Sequence, residues 1–134
     1  MAGETNLQQL LKTLQPQLHS GQYVFCKIAS DNYIPYQQAI CSFREDEAIT
    51  VILEKELADS LQLEYSFVAA WITLTVHSSL EAVGLTAAFS SALSKQGISC
   101  NVVAAFYHDH IFVNENDASK AMEVLRLLAH NAST

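Results

Sequence analysis

The segment Trp71 to Val113 constrains the fold more than any other part of the chain. Trp71-Ile72-Thr73-Leu74-Thr75-Val76-His77 is rich in β-branched residues and reads as a strand. Ser78 to Gly84 reads as a loop ending in glycine, and Leu85 to Gln96 carries apolar residues at helical spacing. Gly97 stops that helix. Ile98 to Ala105 follows as a second strand, Phe106 to His110 as a polar and aromatic turn, and Ile111 to Val113 as a third strand. Strand, glycine loop, helix, strand, turn and strand together read as one compact unit.

Half of the 134 residues are apolar, enough for a sizeable core. A lone domain of half this length would be marginal, so two subdomains sharing a core are expected. With 14 acidic and 7 basic residues the net charge is −7. That disfavours nucleic acid, which needs a positive footprint, and leaves no basic helix for anionic lipid. The acidity reads as a device for solubility. Met1-Ala2-Gly3-Glu4 does not open a secretory leader, and the most apolar run, Phe67 to Val76, is too short to span a bilayer. Cys26, Cys41 and Cys100 form no CxxC pair and each sits in an apolar run, so reduced, buried and inert thiols are expected. A cytoplasmic protein with no nucleic-acid or membrane partner follows. The glycosylation match at Asn131-Ala132-Ser133 is then empty.

Along the rest of the chain, Thr5 and Gln8 have the spacing of a capping box. Leu7, Leu10, Leu11 and Leu14 then share a helical face until Pro16 and Gly21 end the helix. Tyr23 to Ala29 reads as a covered strand, and Ser30 to Gln38 as a loop around Pro35. Ala39 to Phe43 and Ile49 to Leu53 read as a hairpin turned by Arg44-Glu45-Asp46-Glu47, a solvated turn and not an acidic metal site. Glu54 to Leu63 reads as a short helix with Leu57 and Leu61 facing in. A last helix, capped by Asn116 or Asp117, turns Ala118, Ala121, Met122, Leu125 and Leu128 to the core. Trp71, Phe67, Phe89, Phe106 and Phe112 are expected in the core. Tyr33, Tyr36 and Tyr107 are expected at a lid or dimer contact.

The runs Ala48 to Glu54, Leu74 to Thr86, Ile98 to Ala104 and Tyr107 to Val113 resemble the free-standing bacterial double-ACT proteins of uncharacterised function. The two-part layout also resembles the ACT halves of animal cytosolic arginine sensors. The resemblance implies an α+β fold of two ferredoxin-like subdomains with antiparallel sheets, residues 1–65 and 66–134, with room for a shared or exchanged strand. The second half follows the ACT order βαββαβ without its last strand. Tyr23 to Ala29 is the expected donor, since an open sheet edge is a liability.

In ACT proteins that bind effectors, the ligand lies where two units meet, against the strand-to-helix loop. Carried over, that loop is Leu80, Glu81, Ala82, Val83, Gly84 and Leu85, and the acid opening the third strand is Asp109. A glycine at a helix start lets a ligand approach bare backbone amides, and the positive helix end suits a carboxylate. Glu81 or Asp109 could pair with an α-ammonium. The resemblance thus implies a non-catalytic regulatory or sensor protein for an amino acid or similar small effector. It would be a homodimer acting on a separate enzyme. The rival reading is a structural or dimerisation module without a ligand.

Other chemistry is thinner. His108 and His110 alternate on a strand and could share one ion, but no third or fourth ligand is evident. Neither a metal nor a cofactor is expected. His77-Ser78-Ser79 with Asp109, or Cys100 with His108, supplies catalytic residue types without a catalytic motif, so no enzyme is expected.

Overall fold

The computed structural model describes residues 6–29, 34, 37–76 and 82–132. Thr5, most of the expected loop around Pro35 with Tyr33 and Tyr36, and residues 77–81 lie outside the described residues. The elements are α1 (Leu7–Thr13), β1 (Gln15–Leu18), β2 (Tyr23–Ile28), β3 (Cys41–Arg44), β4 (Ile49–Glu54), α2 (Lys55–Ser60), β5 (Val68–Thr75), α3 (Leu85–Lys95), β6 (Asn101–Ala104), β7 (Asp109–Asn114) and α4 (Ala118–Ala132). A 3₁₀ turn, Glu115–Asp117, precedes α4.

The chain folds as two compact units, Gly21–Ala69 and the remainder. This differs from the expected division at 65/66. The segment up to Ser20 packs with the second half, because α1 adds Leu10, Leu11 and Leu14 to its core.

In the first unit β2 pairs antiparallel with β4 along its whole length, from Tyr23 opposite Glu54 to Ile28 opposite Ile49. β3 lies on the other side of β4, and the first two residues of β5 pair with Tyr23 and Val24. Val24, Cys26 and Ile28 alternate into a core with Val51, Leu53 and Ala58. Within α2 it is Ala58 that is buried, while Leu61, expected to face in, is exposed. The helix is only two turns long, and Leu61 already belongs to its C-cap. Gln62 follows with φ +57. Leu63 N–H bonds Ala58 O and Gln62 N–H bonds Asp59 O, the paired closure of a Schellman motif that ordinarily takes glycine at this place.

In the second unit the strand order is β1-β5-β7-β6. The strand that completes this sheet is Gln15–Leu18, paired antiparallel with Ile72–Thr75. The expected donor, Tyr23 to Ala29, is instead committed to β4 in the first unit. Pro16 therefore sits in an edge strand, a place that tolerates its missing N–H, and does not end a helix. α1 stops earlier, at Thr13, and its cap is Asn6, whose side chain accepts from the Gln9 N–H.

Ala70, Ile72, Leu74 and Val76 of β5 and Ile111 and Val113 of β7 face α1, α3 and α4. They close a core around Phe89, Leu93 and Leu125. In α4 Ala121, Met122 and Leu125 are buried as expected, and Asn114 caps the 3₁₀ turn before it, its side chain accepting from the Asn116 N–H. Phe106, expected in the core, lies outside it. It is 77% exposed in the β6–β7 turn, beside an exposed Tyr107.

Replacing Gln62 by glycine should stabilise the protein. A left-handed L-residue costs roughly 1–2 kcal/mol, of which the extra chain entropy of glycine gives back about 0.5–1. The thermal midpoint of Gln62→Gly is expected to rise by the equivalent of about 0.5–1 kcal/mol; a lower midpoint would show that Gln62 makes a compensating contact.

Candidate functional site

The residues expected to form a site lie at one end of the second unit. β5 runs towards the loop that precedes α3. Trp71 stacks on Phe112 while Thr73 meets His110, so β7 runs antiparallel to β5 and begins at that same end. Asp109 is the first residue of β7, opposite Ala104 of β6. Alternation puts it on the side of Ile111 and Val113, the helix-covered side. Burial pushes its carboxyl above the usual range, with His108 pulling the other way. Among the described residues nothing donates a hydrogen bond to that carboxylate.

Leu80 and Glu81 lie outside the described residues. Ala82 packs against the core, Val83 is 83% exposed, and the Leu85 side chain is buried in the core. Only the Leu85 backbone is then left for a ligand. Gly84 is the N-cap of α3, with φ +96, and its carbonyl accepts from the Ala88 N–H. As a glycine, this N-cap has no side chain with which to cap the first turn of α3. A Cβ on Gly84 would stand 3.2 Å from Leu7 Cδ2. The glycine is thus required by its backbone conformation and by the close approach of α1, before any ligand is considered.

On the opposite face of the same strands lies a cluster in which one member, His19, carries no sequence signal. The Trp71 Nε1–H donates to His110 Nδ1 at 3.1 Å. Thr73 Oγ1 stands 3.1 Å from the same nitrogen and 2.7 Å from His19 Nε2. The His19 ring stacks on Trp71 with centroids 3.6 Å apart and planes 11° from parallel. An indole N–H can only donate, so His110 Nδ1 must be an acceptor and the ring neutral. Burial lowers the pKa of His110, with positive charge on His108 and then His19 acting in the same direction; burial also lowers that of His19. His108 Nδ1 is buried with no hydrogen-bond partner.

Among the described residues no three of His, Cys, Asp or Glu gather to hold a metal ion. His108 and His110 do share a face, but the Nδ1 of His110 is engaged by Trp71. Cys26 is buried, whereas Cys41 and Cys100 are partly exposed. Burial pushes the Cys100 thiol up to about 11 and raises Cys26 as well, so both are protonated at neutral pH and weak nucleophiles.

Two ACT-domain family models match the chain, one over residues 2–70 and the other over residues 66–126. The chain belongs to the ACT-domain family. Among solved structures it is similar to a protein of unknown function, a possible transport protein, from Vibrio cholerae. The identity is 46%, with 92% of this chain and 95% of that one covered, at a TM-score of 0.83. A protein from Agrobacterium tumefaciens is 20% identical over 87% of this chain and 89% of its own, at 0.67. The ligand-free regulatory subunit of aspartate kinase from Thermus thermophilus is 10% identical over 84% and 95%, at 0.59, a likeness of fold. No curated protein matches. The second ACT unit is complete as β5, α3, β6, β7, α4 and β1. The first runs β2, β3, β4, α2 and the start of β5, with no helix among the described residues between β2 and β3.

Gly84→Ala should destabilise the second ACT unit by about 1–2 kcal/mol, the cost of the left-handed region for an L-residue. Urea unfolding of Gly84→Ala, alone and with Leu7→Ala, separates the two demands. If the strain is mainly conformational, removing the Leu7 side chain restores little of it.

Proposed function

We propose that this ACT protein is a non-catalytic regulator that binds an amino acid at the loop–helix end of its second unit and acts on a separate enzyme. The observation that carries the reading is Asp109, a half-buried carboxylate with no hydrogen-bond donor among the described residues. An acid in such a place gains from a cation that brings its own N–H groups, and an α-ammonium does so. The first turn of α3, whose N-cap glycine brings no side chain to it, offers backbone amides to an α-carboxylate at the same end of the strands. Leu80 to Leu85 supply the loop and Asp109 the counter-charge. The ligand acts by differential affinity for two arrangements of that loop or of a homodimer interface.

A second reading, dimerisation without a ligand, is favoured by Phe106 and Tyr107. They form an edge-to-face pair, 77% and 71% exposed, at the tip of the β6–β7 hairpin. β6 is also an edge of its sheet.

Thermal unfolding against a panel of amino acids separates the two. A cognate amino acid at 100 times its Kd should stabilise the protein by about 2.7 kcal/mol. Asp109→Asn should fold, by circular dichroism, and lose that gain. Retained binding by the folded variant removes Asp109 from the site. No gain with any amino acid, together with a dimer by sedimentation that Phe106→Ser dissociates, favours the second reading.

A further inference from the structure

The cluster of His19, Trp71, Thr73 and His110 is not used by the proposed ligand site, and it lies where the chain leaves the second unit. β1 is a four-residue edge strand, and its last tie to β5 is the His19 N–H bonded to Trp71 O at 2.9 Å. Upstream the chain is anchored, since Leu10, Leu11 and Leu14 are buried in the core. Downstream of Leu18, side-chain ties to β5 include the stack of His19 on Trp71 and the contact of His19 Nε2 with Thr73 Oγ1. Those ties depend in turn on Trp71, whose indole is oriented by His110 Nδ1.

We propose that these four side chains form a proton-operated latch, which holds the end of β1 against β5 while His110 is neutral and releases it when His110 takes a proton. A proton on Nδ1 turns the acceptor of the Trp71 N–H into a second donor, so two donors face each other at 3.1 Å. The Thr73 hydroxyl can accept from the protonated Nδ1 while it donates to His19, but that leaves the Trp71 N–H without its acceptor. The titratable groups that face His110 are His19 from β1 and His108 from its own strand; β5 presents Trp71 and Thr73, and β6 presents Val103 opposite it, all uncharged. Asp109, next in sequence, points to the other face. Charge on either neighbouring imidazole therefore opposes a proton on His110.

The sign follows from linkage. A histidine whose pKa is lowered in the folded state contributes stability that is complete above its unfolded value, near 6.5. That contribution is lost as the pH falls from there through the folded value. Release is local to the end of β1 around His19, because α1 remains anchored upstream and β2 remains paired downstream.

Native-state hydrogen exchange tests the latch on the intact protein. Protection of the His19 amide, corrected for intrinsic exchange, is followed from pH 7.5 to 5, with the Ala88 amide in α3 as internal control. His19 protection should fall at least tenfold while Ala88 changes little. His110→Asn keeps an acceptor in the place of Nδ1 but cannot be protonated, so its His19 protection should stay level. Unchanged protection in the wild type, an equal loss at Ala88, or an equal loss in His110→Asn would each overturn the latch. Should His110→Asn fail to fold, Trp71→Phe serves. Without the indole donor the midpoint of release should move up in pH, and an unmoved midpoint overturns the proposal.

Discussion

The second unit depends on satisfying the backbone of β5. Ile72, Thr73 and Leu74 are all at most 6% exposed, so no water reaches their peptide groups. A buried N–H or C=O left unpaired costs about 1–3 kcal/mol, and a run of them would cancel much of a small domain's stability. β7 lies along one edge of this stretch, and β1 answers the other. Four residues of poor strand propensity, Gln15-Pro16-Gln17-Leu18, are enough because the partner strand is already fixed and buried. The same need explains why the first twenty residues belong by packing to the second half of the chain.

The two units repeat one plan with different chemistry. Their hairpins turn identically, with Glu45 N–H bonded to Ala48 O in one and Ala105 N–H to His108 O in the other. Arg44 pairs with Ile49 as Ala104 pairs with Asp109, and Cys41 with Ile52 as Asn101 with Phe112. The place of Asp109 is therefore taken by Ile49 in the first unit, and that of His110 by Thr50. Opposite Thr50 stands Lys27, where His110 has Thr73. An aliphatic residue cannot pair with an ammonium, and a threonine does not titrate. The polar chemistry of the shared plan is concentrated in the second unit.

Much of this was legible because it is local. The strand signatures placed β2, β4 and β7 within a residue or two and β5 within three, and helical spacing placed Leu85, Phe89 and Leu93 inward. The failures share a cause. β1 reads as a helix stop because its proline and glutamines acquire strand structure only from β5. Leu61 and Phe106 are apolar by type, but one sits at a helix end and the other in a turn, where type does not decide burial. His19 is 54 residues from Thr73, and no periodicity links them. Two of the five histidines, His19 and His110, meet through Trp71 and Thr73 on one sheet face, which counting residues could not show.

Asp109 and His110 are neighbours in sequence and face opposite sides of one strand. A ligand ammonium at Asp109 would favour the carboxylate, and a proton at His110 would favour loss of the Trp71 bond. The two groups share one short stretch of backbone at the start of β7, although what protonation releases is the end of β1. If bound ligand restrains that stretch in the geometry that keeps His110 an acceptor, it must lower the affinity of His110 for a proton. By reciprocity, protonation must then weaken the ligand by the same factor. On the proposed reading the sign of this coupling follows from geometry, since a ligand that restrains the strand and a neutral imidazole favour the same arrangement. A regulator built in this way would read an effector at one face and acidity at the other through a single β-strand.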